Sequence, residues 1–404
     1  MTQILEAWLE GHYAGRFIFG TNQPARFHYD EGAPDTPISL SLPRDGSSSK
    51  LAAQRFLDNL LPDADHTRAR MARAYEVENP TTYALLAKAG EDLAGGLVLL
   101  PEGANLYAGV PRMNPVLSRA LANRISSIKQ DADAWIPAGA PARFSLAGTQ
   151  GKFAIADIDG EWYWSNESVP STHIVKPGAP RLAGIEEAES AALALARRIG
   201  VDAASARVLH VEDQQAFIVE RFDRVRQSNS VFPRRLHAED LAQALGIGPT
   251  DKYNVTMEQA FRKLSEVDHD GNLRRRFLAQ VVFNTLIGNA DAHAKNYSLF
   301  LRPGQVSLAP LYDAVPVSLY PEYDQNLAMR IAGARQSQAV SLSHWRKLAK
   351  RINLDQDEIS ARVQEIASLV GEHHEGAWST LAPHQTELLS SAVGRNVEKA
   401  LRAD

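Results

Sequence analysis

Three oxygen-bearing side chains follow one another at a telling spacing: Asp291, then Asn296 after four intervening residues, then Asp313. Metal-assisted phosphoryl transfer asks for one carboxylate that orients an attacking hydroxyl, then an amide and a second carboxylate that hold a divalent cation across the phosphates. That reaction depends on positioning and charge stabilisation more than on covalent chemistry. Asp291 fits the first role, and Asn296 and Asp313 the other two. Mg2+ suits such a set because it takes hard oxygen ligands and completes its shell from water and substrate phosphate. A turn rich in Asp and Asn that caps its own backbone accounts equally well for Asp291 alone, but the ordered triple is harder to reach by accident.

The flanking elements must position these groups. An apolar run over 277–287 reads as a buried helix stopped by Gly288, Asn289 and Ala290, which places Asp291 on a loop anchored in core. A strand over 297–301, a turn at Pro303 and Gly304, and a strand-like 306–312 bring the chain back to Asp313. Upstream, 143–164 reads as strand, small-residue loop, strand, a tight turn at Asp159 and Gly160, and strand. In its loop, Ala147, Gly148, Thr149, Gln150, Gly151 and Lys152 can bring backbone N–H groups against phosphates, with Gly148 and Gly151 permitting close passage. The loop matches neither G-x-G-x-x-G nor a Walker A sequence, so an ordinary hairpin loop is the plainer alternative. Lys176 closes the next strand, and a helix over 185–199 carries Glu186, Glu187 and Glu189. A strand lysine paired with a helix glutamate can fix the α- and β-phosphates; a solvated strand end and a charge-favoured helix N-terminus are the bland equivalents.

Taken together, these segments resemble the HipA family, serine/threonine kinases that act as toxins in bacterial toxin-antitoxin modules. The resemblance runs over nearly the whole chain: ISLSLP at 38–43, RFLDNLLPD at 55–63, FSLAGTQGK at 144–152, STHIVKP at 171–177, VERFDR at 219–224, RLHAEDLAQALG at 235–246, IGNADAHAKN at 287–296 and PLYD at 310–313. It implies an α+β, bilobal protein-kinase-like fold with a mixed N-terminal subdomain and a mostly helical C-terminal lobe. The boundaries expected are 1–105 for the N-terminal subdomain, 106–142 for a connecting region, 143–228 for the small lobe and 229–404 for the helical lobe. It also implies ATP and Mg2+ as cofactors, Asp291 as the catalytic aspartate, Asn296 and Asp313 as magnesium ligands, and Lys176 on the ATP phosphates. Glu220 and Phe222 match the segment against which the adenine lies, and His293 and Lys295 fall beside the nucleotide within the catalytic loop. His293 is assigned a structural role rather than that of base, because the mechanism gives proton acceptance to an aspartate.

Ser145 resembles the serine that these kinases phosphorylate on themselves, with loss of activity. The implied partners are a protein substrate such as an aminoacyl-tRNA synthetase, a small helix-turn-helix antitoxin of HipB type, and operator DNA reached mainly through that antitoxin. The chain departs from the family at His237, where many members have Gln, at Gly151, and in a short stretch between Lys176 and Glu189. The resemblance implies that the short stretch helps recognise the protein substrate, so it leaves substrate identity open and the ATP chemistry intact. Two rival readings share the constellation or the fold: a small-molecule kinase of antibiotic-phosphotransferase type, and a non-catalytic module that binds antitoxin and DNA.

Composition sets outer limits. The 404 residues allow two or three domains with sizeable cores, and 44% hydrophobic with 23% charged is ordinary for a globular protein. A net charge of -5 argues against a general nucleic-acid binder. Arg221, Arg224, Arg226, Arg234 and Arg235 read either as a local basic patch or as a solvated connection. The absence of cysteine excludes disulfides, Cys-ligated zinc and thiol catalysis. The start lacks a secretory pattern and no run reaches the length of a membrane span, so no membrane partner and a cytoplasmic location are expected.

Two further motifs fail. Glu266, Asp268, Asp270 and Gly271 imitate a calcium loop, but Phe277 stands where a bidentate Glu is needed. His373 and His374 lack one-turn spacing and read as surface histidines near a helix end. Helices are expected over 49–61, 116–131, 240–245, 257–264, 343–352, 357–370 and 382–400, with nearly everything after 238 outside the catalytic loop helical.

Overall fold

From Leu5 onward the strand Gln3–Leu9 buries every second residue, Leu5, Ala7 and Leu9, as a half-buried strand of a sheet must. It is central in an antiparallel sheet ordered Arg26–Tyr29, His12–Phe19, Gln3–Leu9, Leu97–Pro101. The computed structural model describes residues 2–106, 111–135, 151–166 and 168–402. The chain forms two compact units. The first comprises Met1–Pro180, Leu209–Thr250 and Leu299–Gln305, and the second Arg181–Val208, Asp251–Ser298 and Val306–Asp404.

In the first unit the helices Ala52–Asn59, Asp65–Ala74 and Thr82–Ala89 supply apolar faces to the same core as the N-terminal sheet. Phe56 and Phe17 stack there with ring centroids 6.2 Å apart. A second, five-stranded sheet is ordered Glu161–Trp164, Phe153–Ile158, His173–Lys176, Gln214–Glu220, Ala206–Val211. One continuous apolar core runs from Leu5 and Phe17 through Leu121 and Ile125 to Phe153, Val175 and Ile218. Gly151 packs against the end of the helix Ser118–Gln130, where a Cβ would come 2.5 Å from the Ala132 carbonyl oxygen and 2.7 Å from Ile128 Cγ2. Packing alone therefore demands a glycine here, apart from any phosphate.

The arginines of VERFDR correct the sequence expectation, since they form neither a surface patch nor a solvated connection. Arg221 makes a bidentate pair with Asp223, at 3.0 and 2.8 Å, and donates to Ser171 Oγ and the Leu93 carbonyl, each at 2.8 Å. Arg224 donates to Asp92 Oδ1 at 2.8 Å and to the Gly95 carbonyl at 2.9 Å. Asp223 accepts the Gly95 amide at 2.6 Å, and Asp92 accepts the Ser171 hydroxyl at 2.6 Å. All five side chains are buried, so the network fastens 92–95 to the strand ends around 171 and 221. Arg226 and Arg234, on the hairpin Arg224–Gln227 and Ser230–Arg235, are the exposed ones.

The second unit is largely helical. Asn272–Leu286 is buried along most of its length and is met by Gln356–Ala377 and Pro383–Leu401, while Ile185–Arg198 and Leu342–Arg351 pack on Gln356–Ala377. Asn396 Nδ2 donates to the Leu286 carbonyl at 3.0 Å, satisfying one of the acceptors that a helix C-terminus leaves open. Asp268, from the discarded calcium motif, instead accepts the Leu273 and Arg274 amides at 3.1 and 3.0 Å and so caps that helix. His374 is buried, against the expectation of a surface histidine, and burial pushes its pKa down. The antiparallel pair Asn326–Ile331 and Ala334–Gln336 is also contrary to the helical expectation after 238. Among the described residues no helix is long and apolar enough to cross a membrane. With these two units the protein has an α+β fold.

Candidate active site

The helix Asn272–Leu286 ends by a mechanism its sequence prescribes. The Gly288 amide donates to the Thr285 carbonyl at 3.2 Å and the Asn289 amide to the Asn284 carbonyl at 2.9 Å, the paired bonds of a Schellman turn. Gly288 holds φ +75°, where glycine carries no Cβ penalty. The Asn289 side chain then donates to Asn284 Oδ1 and to the Asp313 carbonyl, both at 3.0 Å, which ties the start of the loop to the segment bearing Asp313. The Ala290 carbonyl accepts the Ala328 amide at 2.8 Å, so the unexpected strand Asn326–Ile331 supports the same loop.

Beyond Asp291 the loop closes through the His293 amide on the Asp291 carbonyl at 2.7 Å and enters the short turn Ala294–Asn296. Asn296 is buried, and its Nδ2 donates to Asp313 Oδ2 at 3.1 Å. Tyr312 steadies this pairing, its hydroxyl lying 2.7 Å from both the Lys295 carbonyl and Ser298 Oγ. Asp313 adopts φ +56°, a left-handed backbone that costs on the order of 1 kcal/mol for a non-glycine residue and persists only where the surroundings impose it. The triple expected from spacing is thus brought together within the second unit.

Asp291 keeps solvent access, but the protein packed around it still desolvates its carboxyl and raises its pKa. The Tyr253 hydroxyl, donating to Asp291 Oδ1 at 2.8 Å, opposes that rise, Asp313 adds to it, and Lys252 opposes it. His293 is buried with its ring edge-on to Tyr253, centroids 5.0 Å apart. Burial, then the Lys252 charge, hold its pKa down at about 4, so the imidazole is neutral at pH 7. Asn296 carries an amide oxygen and Asp313 a carboxylate on side chains that meet, through the Asn296 Nδ2 donor, at 3.1 Å, and hard oxygen donors of this kind fit Mg2+.

The remaining expected residues lie in one or other unit or outside the described residues. Lys176 is the buried last residue of His173–Lys176, with its ammonium 5.3 Å from the ring centroid of Phe217, its cross-strand partner. Glu220 ends Gln214–Glu220 with an exposed carboxylate 3.9 Å from His173 Nε2, and Phe222 meets Phe300 edge-on at 5.6 Å. Lys152 directly precedes the strand Phe153–Ile158. Ser145, Ala147, Gly148, Thr149 and Gln150 lie outside the described residues. Glu186 and Glu189 are buried on Ile185–Arg198 of the second unit. Asn289, Lys252 and Tyr253 were not singled out by the sequence. Asn289 was visible only as a helix stop, and no motif or periodicity marks the other two.

Residues 5–100 match the model of the HipA N-terminal domain, and 144–373 that of the HipA-like C-terminal domain. The chain is 32% identical over 384 residues to the "Putative kinase Y4mE" of Sinorhizobium fredii, covering 92% of this chain and 90% of that one. It is 30% identical over 313 residues to the serine/threonine-protein kinase toxin HipA of Shewanella oneidensis, covering 73% of this chain and 70% of the relative. Its fold superposes on that of HipA solved in the Shewanella oneidensis complex with HipB and operator DNA, with a TM-score of 0.81 at 24% identity over 98% of this chain and 96% of that one. The chain belongs to the HipA family of kinases.

Proposed function

We propose that this protein transfers the γ-phosphoryl group of ATP, with Mg2+, to a serine or threonine hydroxyl of a protein, and that it serves as the toxin of a toxin-antitoxin pair. The observation that carries the reading is the pairing of Asn296 with Asp313 at 3.1 Å, on a loop that also presents Asp291 to solvent. In this reading Asp291 orients the acceptor hydroxyl and takes its proton, and Asn296 and Asp313 hold the cation. Bound Mg2+ and ATP supply the transferable phosphoryl group and neutralise charge that develops on it. Lys176 offsets phosphate charge, Gly151 and Lys152 border the nucleotide loop with Ala147, Gly148, Thr149 and Gln150, and Glu220 and Phe222 flank the adenine. His293 and Lys295 complete the nucleotide's surroundings.

The association of a HipA with HipB and operator DNA supports a partner of the HipB type here, and engagement of DNA mainly through that partner is part of the same proposal. Self-phosphorylation at Ser145, an aminoacyl-tRNA synthetase as target, action in the cytoplasm and the four-part division at 105, 142 and 228 belong to the same reading. Phosphopeptide mass spectrometry before and after incubation with ATP and Mg2+, beside Asp291→Asn, tests it. New phosphate on serine or threonine in the wild type alone, at Ser145 first, is the expected result. Labelling confined to small alcohols, with none on protein, contradicts it.

A further inference from the structure

The side of Asp291 that no motif accounts for is occupied by the residues leading into the helix Met257–Ser265. There the Lys252 carbonyl accepts the Ala294 amide at 3.4 Å and the Tyr253 hydroxyl donates to Asp291 Oδ1 at 2.8 Å. The Tyr253 ring is held on two sides, by the edge-on His293 ring at 5.0 Å and by the Lys252 ammonium 5.1 Å from its centroid. The backbone around them is fixed as well. The Asn254 amide donates to the Asp251 carbonyl at 2.8 Å, and Thr256 and Gln259 form a reciprocal capping box at the helix start.

A surface tyrosine with no task has no reason to be fastened this way. Tyr253 is 50% exposed, while Lys252 beneath it is buried, so the phenol meets solvent and the reactive carboxylate together. An ionised carboxylate accepts through two oxygens, and the phenol engages only one of them. We infer that Tyr253 is a positioning residue: its hydroxyl fixes the Asp291 carboxylate through Oδ1 so that Oδ2 is presented to the acceptor hydroxyl. This rests on the phosphoryl-transfer reading. In that step the bond from the acceptor oxygen to the γ-phosphorus forms, the bond from that phosphorus to the β–γ bridging oxygen breaks, ADP leaves, and the acceptor proton passes to Asp291. A carboxylate free to rotate about its last torsion spends less time in the one productive orientation, and misplacement of that size is costly to rate.

The opposite role is a phenol that stands where the acceptor hydroxyl belongs and has to leave before reaction. The two roles differ in sign, which makes the test simple. The probe is hydrolysis of ATP in saturating Mg2+, with water as the smallest acceptor, followed as ADP release by the full chain, its Tyr253→Phe and Tyr253→Ala variants, and Asp291→Asn. A positioning role predicts that Tyr253→Phe lowers kcat about tenfold or more. KM for ATP and the melting temperature stay at the wild-type values, a split that a merely structural defect does not produce. Tyr253→Ala falls at least as far. An unchanged or raised kcat in Tyr253→Phe, while Asp291→Asn has lost turnover, overturns the inference and leaves the kinase reading standing. Wild-type protein that neither releases ADP nor transfers phosphate to protein overturns both.

Discussion

Asn296 and Asp313 meet at 3.1 Å although sixteen residues and a strand pair separate them in the chain. In the proposed reading the contact matters because the two side chains would share one cation. Mg2+ holds to a protein through one or two fixed oxygens and leaves the remainder of its shell to water and phosphate.

Replacing Asp313 with Asn therefore removes charge while keeping shape, and Asn tolerates the left-handed backbone that Asp313 adopts at φ +56°. Stability is expected to stay within about 1 kcal/mol of wild type, and phosphoryl transfer is expected to be lost at all practical Mg2+ concentrations. Asn296→Ala is milder, raising the Mg2+ concentration for half-maximal activity by about tenfold. A Mg2+ titration of activity for the two variants checks both.

Asn289 bridges Asn284 and the Asp313 carbonyl with one side-chain amide. Asn289→Ala leaves those acceptors in a buried setting and is expected to lower stability by about 1–3 kcal/mol. The same change loosens the segment that carries Asp313, so turnover falls more than stability at 25 °C alone accounts for. Urea denaturation and initial rates measured on one preparation separate the two effects.

Asp92 gives a pH signature. Burial would raise its carboxyl, but Arg221 first, then Arg224, Arg235 and the Ser171 hydroxyl outweigh that and hold it at about 2 against an ordinary 3.8. A depressed carboxylate contributes its full stability above the unfolded value, here 3.8, and loses it as pH falls through about 2. That contribution is on the order of 2 kcal/mol. Asp92→Asn strands buried arginine charge and is expected to destabilise by about 3–5 kcal/mol at pH 7. The gap between variant and wild type narrows as the pH falls below 3.8, read as a converging pair of urea midpoints.

What the sequence disclosed and what it hid divide along physical lines. The loop that carries Asp291 and Asn296 was legible because a helix stop and a fixed spacing coincide at 287–296. Helices such as Asn272–Leu286 and Pro383–Leu401 declared themselves through length and apolar content, although the first begins five residues before the apolar run expected to mark it. The hairpin Asn326–Ile331 and Ala334–Gln336 stayed hidden, because it turns at Ala332 and Gly333, both with positive φ, without the Asn-Gly or Asp-Gly pair that usually marks such a turn. The roles of Arg221 and Arg224 were hidden for another reason: their partner Asp92 lies more than a hundred residues away, and charge runs carry no record of burial. Tyr253 shows the same limit, since its distance from Asp291 exists only in the fold.

The central claim is that Asp291 serves phosphoryl transfer, and the direct measurement is the rate of γ-phosphate transfer from labelled ATP to protein by wild type and Asp291→Asn at equal nucleotide occupancy. A loss of about 100-fold or more in kcat, with ATP affinity and circular dichroism unchanged, is the result predicted. A folded Asp291→Asn that transfers phosphate at the wild-type rate contradicts the assignment.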